Sequence, residues 1–137
     1  MLHISKQVDY AVQFLLSLAK MKQGCYLSAR ECAERHGFSF LFLQKIITKL
    51  RRSGIVAAKK GVAGGDYLCQ DPHLVSLKTI VESLEGQYSI VSCMGEQSTC
   101  KIGDICKVPT LYSVIQGDIC NTIEKYTLSY MATIMKR

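Results

Sequence analysis

Two helix starts and two helix stops fall between Ser28 and Gly54, and this spacing limits the possible folds more than any other feature of the chain. In "SARECAERHG" Ser28 stands three residues before Glu31, a capping box in which each side chain satisfies the other's free backbone N–H; Gly37 supplies the left-handed stop. "SFLFLQKIITKLRRSG" follows after a short turn. Ser39 is its cap, Leu43, Ile46, Ile47 and Leu50 form an apolar stripe at helical spacing, and Gly54 ends it. Two short helices across a tight turn, the second one basic, predict a helix-turn-helix. "IVAAKK", "GVAGGD" and "YLCQD" then read as strand, glycine-bearing tip and returning strand, which makes the motif a winged helix.

The flanking segments supply the rest of the core. From Ile4 to about Met21 the residues Val8, Ala11, Val12, Leu15, Leu16 and Ala19 recur at three- and four-residue intervals, as in an amphipathic helix. After the wing, "VSLKTIVESLEG" has Ser76 as cap and Leu77, Ile80, Val81 and Leu84 facing inward. Regular patterning stops from Gly86 to Val108, a loop long enough to imply a job. Past Pro109, Leu111, Val114, Ile115, Ile119, Thr122, Ile123, Tyr126, Tyr130 and Ile134 keep helical spacing for about 25 residues. One small domain cannot cover that stripe, so pairing with a second subunit is expected. The expected fold class is mainly α with a small β-hairpin: a winged helix-turn-helix over residues 1–85, a loop over 86–108 and a long C-terminal dimerisation helix over 109–137.

The formal charge of +6 is unevenly spread: residues 1–70 hold eleven Lys/Arg against four Asp/Glu, and residues 71–137 hold six against seven. Lys45, Lys49, Arg51, Arg52, Lys59 and Lys60 are interrupted by no acid, as on a polyanion-binding face, although a merely solvated face has the same composition. In a helix-turn-helix the start of the second helix meets base edges. That places Ser39, Leu41, Phe42, Gln44 and Lys45 at the bases of double-stranded DNA, with Gln44 suited to an adenine edge and Leu41 or Phe42 to a thymine methyl. Lys45, Arg51 and Arg52 suit phosphates, as do Lys59 and Lys60 on the wing, where Gly61, Gly64 and Gly65 let the backbone approach closely. Phe42 serves equally well as core. No apolar run approaches the roughly 18 residues of a membrane span, and the N-terminus lacks a signal-peptide pattern, so a cytoplasmic protein without a membrane partner is expected. No nucleophile–base pair, phosphate loop or carboxylate pair argues for an enzyme or a small-molecule substrate.

Seven cysteines in a reducing compartment argue against a disulfide frame, and an odd number cannot all pair. Cys93, Cys100 and Cys106 lie in "CMGEQSTCKIGDIC", at spacings unlike the CxxC of zinc knuckles. A glycine-bearing loop with three thiolates suits an iron-sulfur cluster, a preference that spacing alone leaves undecided. Cys25, Cys32 and Cys69 sit by apolar faces and read as buried, inert thiols.

Together, "ISKQVDYAV", "LQKIITKLRRSGIVAAKKGVAGGDYL", "VSLKTIVESLEG" and the three-cysteine loop before the last helix give the chain a resemblance, over nearly its whole length, to the Rrf2 family of winged-helix regulators. Its IscR-like and NsrR-like branches sense through iron-sulfur clusters. The resemblance implies a homodimer on a palindromic operator, with a cluster on Cys93, Cys100 and Cys106 answering to nitric oxide, redox state or iron. In the IscR-like branch a histidine three residues past the last cysteine completes the ligand set; here that position is Pro109. In the NsrR-like branch an aspartate of the partner's first helix does so, and the matching residue is Asp9, which favours a 4Fe-4S cluster over a 2Fe-2S one. Other readings are a cluster-free repressor under thiol-switch or partner-protein control, and an iron-sulfur scaffold or electron carrier. Two departures from the family pattern are an extra residue between Cys93 and Cys100, and Asp66, which intervenes between the paired glycines and Tyr67.

Overall fold

The computed structural model describes residues 3–91 and 105–136. Helix α1 (Lys6–Ala19) starts at Ser5, whose hydroxyl accepts the Val8 N–H, and buries Val8, Ala11, Phe14, Leu15, Leu16 and Leu18. Helix α2 (Ala29–His36) is capped by Ser28, which accepts the Glu31 N–H at 3.1 Å, and is closed by Gly37 at φ 70°. Helix α3 (Phe40–Arg52) is capped by Ser39 and sends Leu43, Ile46, Ile47 and Leu50 into the core. Four serine caps, the fourth being Ser76 at α4 (Leu77–Glu85), set these starts by satisfying N–H groups that the first helical turn leaves open.

Strands β1 (Val56–Lys59) and β2 (Gly65–Leu68) pair antiparallel, with Val56 opposite Leu68 and Lys59 opposite Gly65. Leu27, just before α2, adds a short third edge: its N–H donates to Asp66 O at 3.1 Å and its carbonyl accepts the Asp66 N–H at 2.8 Å. The wing is thereby joined to the segment that enters the helix-turn-helix. One core lies under both. Phe14, Leu15, Leu27, Leu43, Ile46, Ile47, Leu50, Ile55 and Ile80 are all fully buried in it.

The C-terminal segment departs from expectation. The single helix expected over 109–137 is two: α5 (Val108–Glu124) and α6 (Leu128–Ile134). Tertiary hydrogen bonds make the break. Tyr126 O accepts the Leu77 N–H at 2.8 Å, Leu128 N–H donates to Val75 O at 2.9 Å, and Thr127 caps α6 by accepting the Tyr130 N–H at 3.2 Å. A Ser76–Thr127 bridge thus ties the tail to the start of α4, and Leu128 drops fully into the core. The apolar stripe is therefore two stripes with different destinations. That of α6 turns inward at Leu128, whereas α5 buries none of its residues, leaving Leu111 and Val114 59% and 61% exposed.

Truncating Leu128 opens a cavity under the α5–α6 break. Leu128→Ala is expected to lower unfolding free energy by about 3 kcal/mol, within the range for fully buried leucines. Urea denaturation checks this, and a loss under about 1 kcal/mol would mean that α6 does not contribute to the core.

Candidate nucleic-acid interface

Helix α3 has two faces with different duties. Its buried stripe fixes the roll of the helix, and that roll turns Leu41, Gln44, Lys45 and Arg52 outward. Leu41 is 69% exposed on this outer face. Ser39 and Phe42 belong to the frame. The Ser39 hydroxyl accepts the Phe42 N–H, and the half-buried Phe42 ring meets Tyr10 edge-on at 5.5 Å while Tyr10 stacks on Phe38 at 3.8 Å. Lys49 also leaves the basic face, because its ammonium donates to Gln7 Oε1 at 3.1 Å and to Leu84 O, at the end of α4, at 3.0 Å. Gln7 Nε2 and Ser5 Oγ both donate to Glu85, so α1, α3 and α4 meet in one polar node.

On the wing, Lys59, Lys60 and Gly61 are exposed. Gly64 and Gly65 are required by the protein's own packing. A Cβ on Gly64 would lie 2.0 Å from Lys59 O, and one on Gly65 would lie 2.7 Å from the Leu27 carbonyl carbon, distances that no side chain tolerates.

Asp66 is the unexpected member of this region. Only 2% exposed, its carboxylate accepts two hydrogen bonds from Arg51, from Nε at 2.9 Å and Nη2 at 2.6 Å. Burial pushes the Asp66 carboxyl above its ordinary value of 3.8, and the hydrogen bonds and charge of Arg51 pull it partly back. Arg51, expected at a phosphate, thus joins α3 to β2. Its side chain stays 46% exposed, and Nη1 lies outside the pair. Sequence reading passed over Arg30, whose guanidinium lies 4.7 Å over the Phe40 ring. The available signal was a cation in the first turn of α2, where the helix dipole disfavours one.

The cysteines divide by environment. Cys93 and Cys100 lie outside the described residues. Cys106 is half-buried just before α5, and Asp9 is exposed on α1, accepting a hydrogen bond from Gln13 Nε2 at 3.0 Å. Neither described donor is sealed in the core, and three thiolates with one carboxylate form a donor set that fits an iron-sulfur cluster. Among the described residues alone, no three His, Cys, Asp or Glu side chains converge as metal ligands. Cys32 is buried as expected, and desolvation pushes its thiol up to about 11, which makes it inert. Cys25 and Cys69 are exposed, contrary to the expectation of buried thiols. Cys25 closes a tight turn through its N–H to Lys22 O, and Cys69 lies just past the end of β2, where its N–H donates to Ile55 O, so both stand outside the helices and strands that carry the core faces.

Residues 4–134, which include the six helices of the described residues and the wing, match the Rrf2 family model, described as an iron-dependent transcriptional regulator. The chain belongs to the Rrf2 family. As in the family, it is a winged-helix, DNA-binding transcription regulator and not an enzyme. Among its relatives, the HTH-type transcriptional regulator IscR of Vibrio parahaemolyticus is 28% identical over 124 residues, covering 90% of this chain and 73% of that protein. The structure of CymR, the global cysteine regulator of B. subtilis, superposes with TM-score 0.78 at 25% identity, covering 98% of each chain. That of T. potens IscR gives 0.77 at 25% identity, covering 98% of this chain and 88% of the other. Among the described residues no helix is long and apolar enough to cross a membrane.

The Arg51–Asp66 pair yields a pH signature. An acid whose folded pKa is raised contributes stability that is fully present below its unfolded value and is lost as pH rises through the folded one. Arg51→Met removes the opposing pull and raises that pKa further. The variant is therefore expected to lose more stability than the parent as pH rises from about 4 toward neutral, with the deficit shrinking toward acid. Thermal melts across that range check the sign; a deficit independent of pH would show that Asp66 ionisation is not involved.

Proposed function

We propose that this Rrf2 regulator acts as a homodimer on a palindromic operator and that an iron-sulfur cluster sets its operator affinity. The observation that carries the reading is α5, an apolar-striped helix that begins two residues after Cys106 and buries none of its own residues. Val108, Leu111, Val114 and Ile115 are 47%, 59%, 61% and 38% exposed, a continuous apolar strip of the kind a second copy covers. In this reading Cys93, Cys100 and Cys106 hold the cluster, with the partner subunit's Asp9 as fourth ligand. A 4Fe-4S form is favoured and a 2Fe-2S form is the alternative. The cluster supplies chemistry reactive toward nitric oxide, oxygen or iron shortage.

The chain's own residues would carry the rest. The Cys106 thiolate stands at the head of α5, so a change in what that thiolate holds is felt first by the dimer helix. A shift of α5 against its counterpart alters the separation of the two α3 helices, and each α3 must meet its half-site about one helical turn from the other. Leu41, Gln44 and Lys45 face the bases in this arrangement, while Arg52, Lys59 and Lys60 face phosphates. Ser39, Phe42, Gly64 and Gly65 hold these residues in place, Gly61 shapes the wing tip, and Arg51 serves both the frame and the interface.

A second reading has an observation of its own: the exposed thiols of Cys25 and Cys69. In it, thiol oxidation or a partner protein adjusts DNA binding without a cluster. One experiment separates the two. Protein purified without oxygen is expected to be coloured, to contain iron and sulfide, to sediment as a dimer, and to change operator affinity after nitric oxide. Colourless, iron-free protein whose operator binding responds only to thiol oxidants would favour the second reading. Asp9→Ala is expected to speed the loss of visible absorption in air while leaving the DNA affinity of the apoprotein unchanged; an unaltered decay would remove Asp9 from the ligand set.

A further inference from the structure

Between the start of α2, the outer face of α3 and the base of the wing runs an open groove of about 290 Å³. We propose that this groove seats one strand of the DNA backbone and that Arg30 is a phosphate contact within it. The inference rests on the DNA-binding reading and adds a contact made by the first helix of the motif.

Four observations converge there. The groove is lined by three cations, Arg30, Arg51 and Lys59, and by one carboxylate, Asp66, which is already neutralised by Arg51. Helix α2 begins on its wall, with Ser28, Ala29 and Arg30 all lining it, so the positive end of that helix dipole borders the same space. Arg30 sits where the α2 dipole opposes a cation, yet its exposed guanidinium is held in place over the Phe40 ring. A polyanion in the groove would turn that local conflict into an attraction. Gln44, which faces outward toward base edges, lines the same groove, so a phosphate held by Arg30 would help set the register in which Gln44 reads.

The other arginine of α2 provides an internal control. Arg35 pairs with Glu31 at 2.9 Å and does not line the groove. The test is binding of a fluorescein-labelled mixed-sequence duplex, followed by anisotropy between about 50 and 200 mM KCl. Arg30→Ala is expected to weaken binding about fivefold to tenfold at the lower salt and to make the slope of log affinity against log salt shallower by about 0.9. Arg30→Lys should keep the slope, and Arg35→Ala should change neither quantity. Because Arg30 is exposed and alanine favours helices, Arg30→Ala should melt like the parent, and Arg30→Gln gives a second neutral variant. Unchanged isotherms and slope in both neutral variants would overturn the assignment, as would an equal effect from Arg35→Ala. Parent protein showing no salt-dependent duplex binding would instead overturn the DNA-binding reading, and the assignment with it.

Discussion

A buried carboxylate needs a partner, and Asp66 obtains one only if α3 and the wing keep a single relative position. Leaving that charge unpaired in the interior would cost several kcal/mol. The two hydrogen bonds from Arg51 therefore act as a geometric condition as well as a source of energy. The backbone of the same residue pairs with Leu27 through both its N–H and its carbonyl. One residue thus joins the recognition helix, the returning strand and the approach to α2. Gly65 beside it is fixed by the same crowding, since the Leu27 backbone occupies the space where a Cβ would go.

The same last turn of α3 is also held by the core and by Lys49. Because that ammonium donates to the Leu84 carbonyl in the last turn of α4 and to Gln7, it interacts favourably with the C-terminal end of α4 and leaves one cation fewer for the DNA face. Glu85, bonded by Ser5 and Gln7, closes α4 in the same node. Recognition helix, first helix and the end of α4 therefore share polar contacts as well as a core. The basic face is smaller than a count of lysines and arginines implies, but each cation left on it is better placed.

Local rules explain what was legible in the sequence. Ser28, Ser39 and Ser76 cap the helices they were read to cap, because capping is decided within four residues. The hairpin was legible from its glycines, and the apolar stripe of α3 from its period. What escaped depends on partners far away in the chain. Asp66 beside two glycines looks like a turn acid until Arg51, fifteen residues earlier, is found against it. The end of α5 looks helical through residues 125–127, and only the bonds of Tyr126 and Leu128 to Leu77 and Val75 break it. Phe42 read equally well as contact or core, and Tyr10 on α1 settles it as packing. The exposed Cys25 and Cys69 escaped for a local reason instead, since a turn and a strand end set side chains off the apolar faces that sequence neighbours suggest.

The break at Thr127 has a mechanical consequence. It clamps the tail of α5 to the start of α4, and the Lys78–Glu124 ion pair at 3.5 Å adds to that clamp. The other end, beside Cys106, carries the exposed apolar turns. A helix of 17 residues spans about 25 Å, so a displacement of about 2 Å at its head becomes a tilt of roughly 5° about its clamped foot. The helix is thus a lever with its fulcrum on the body that carries the recognition helix.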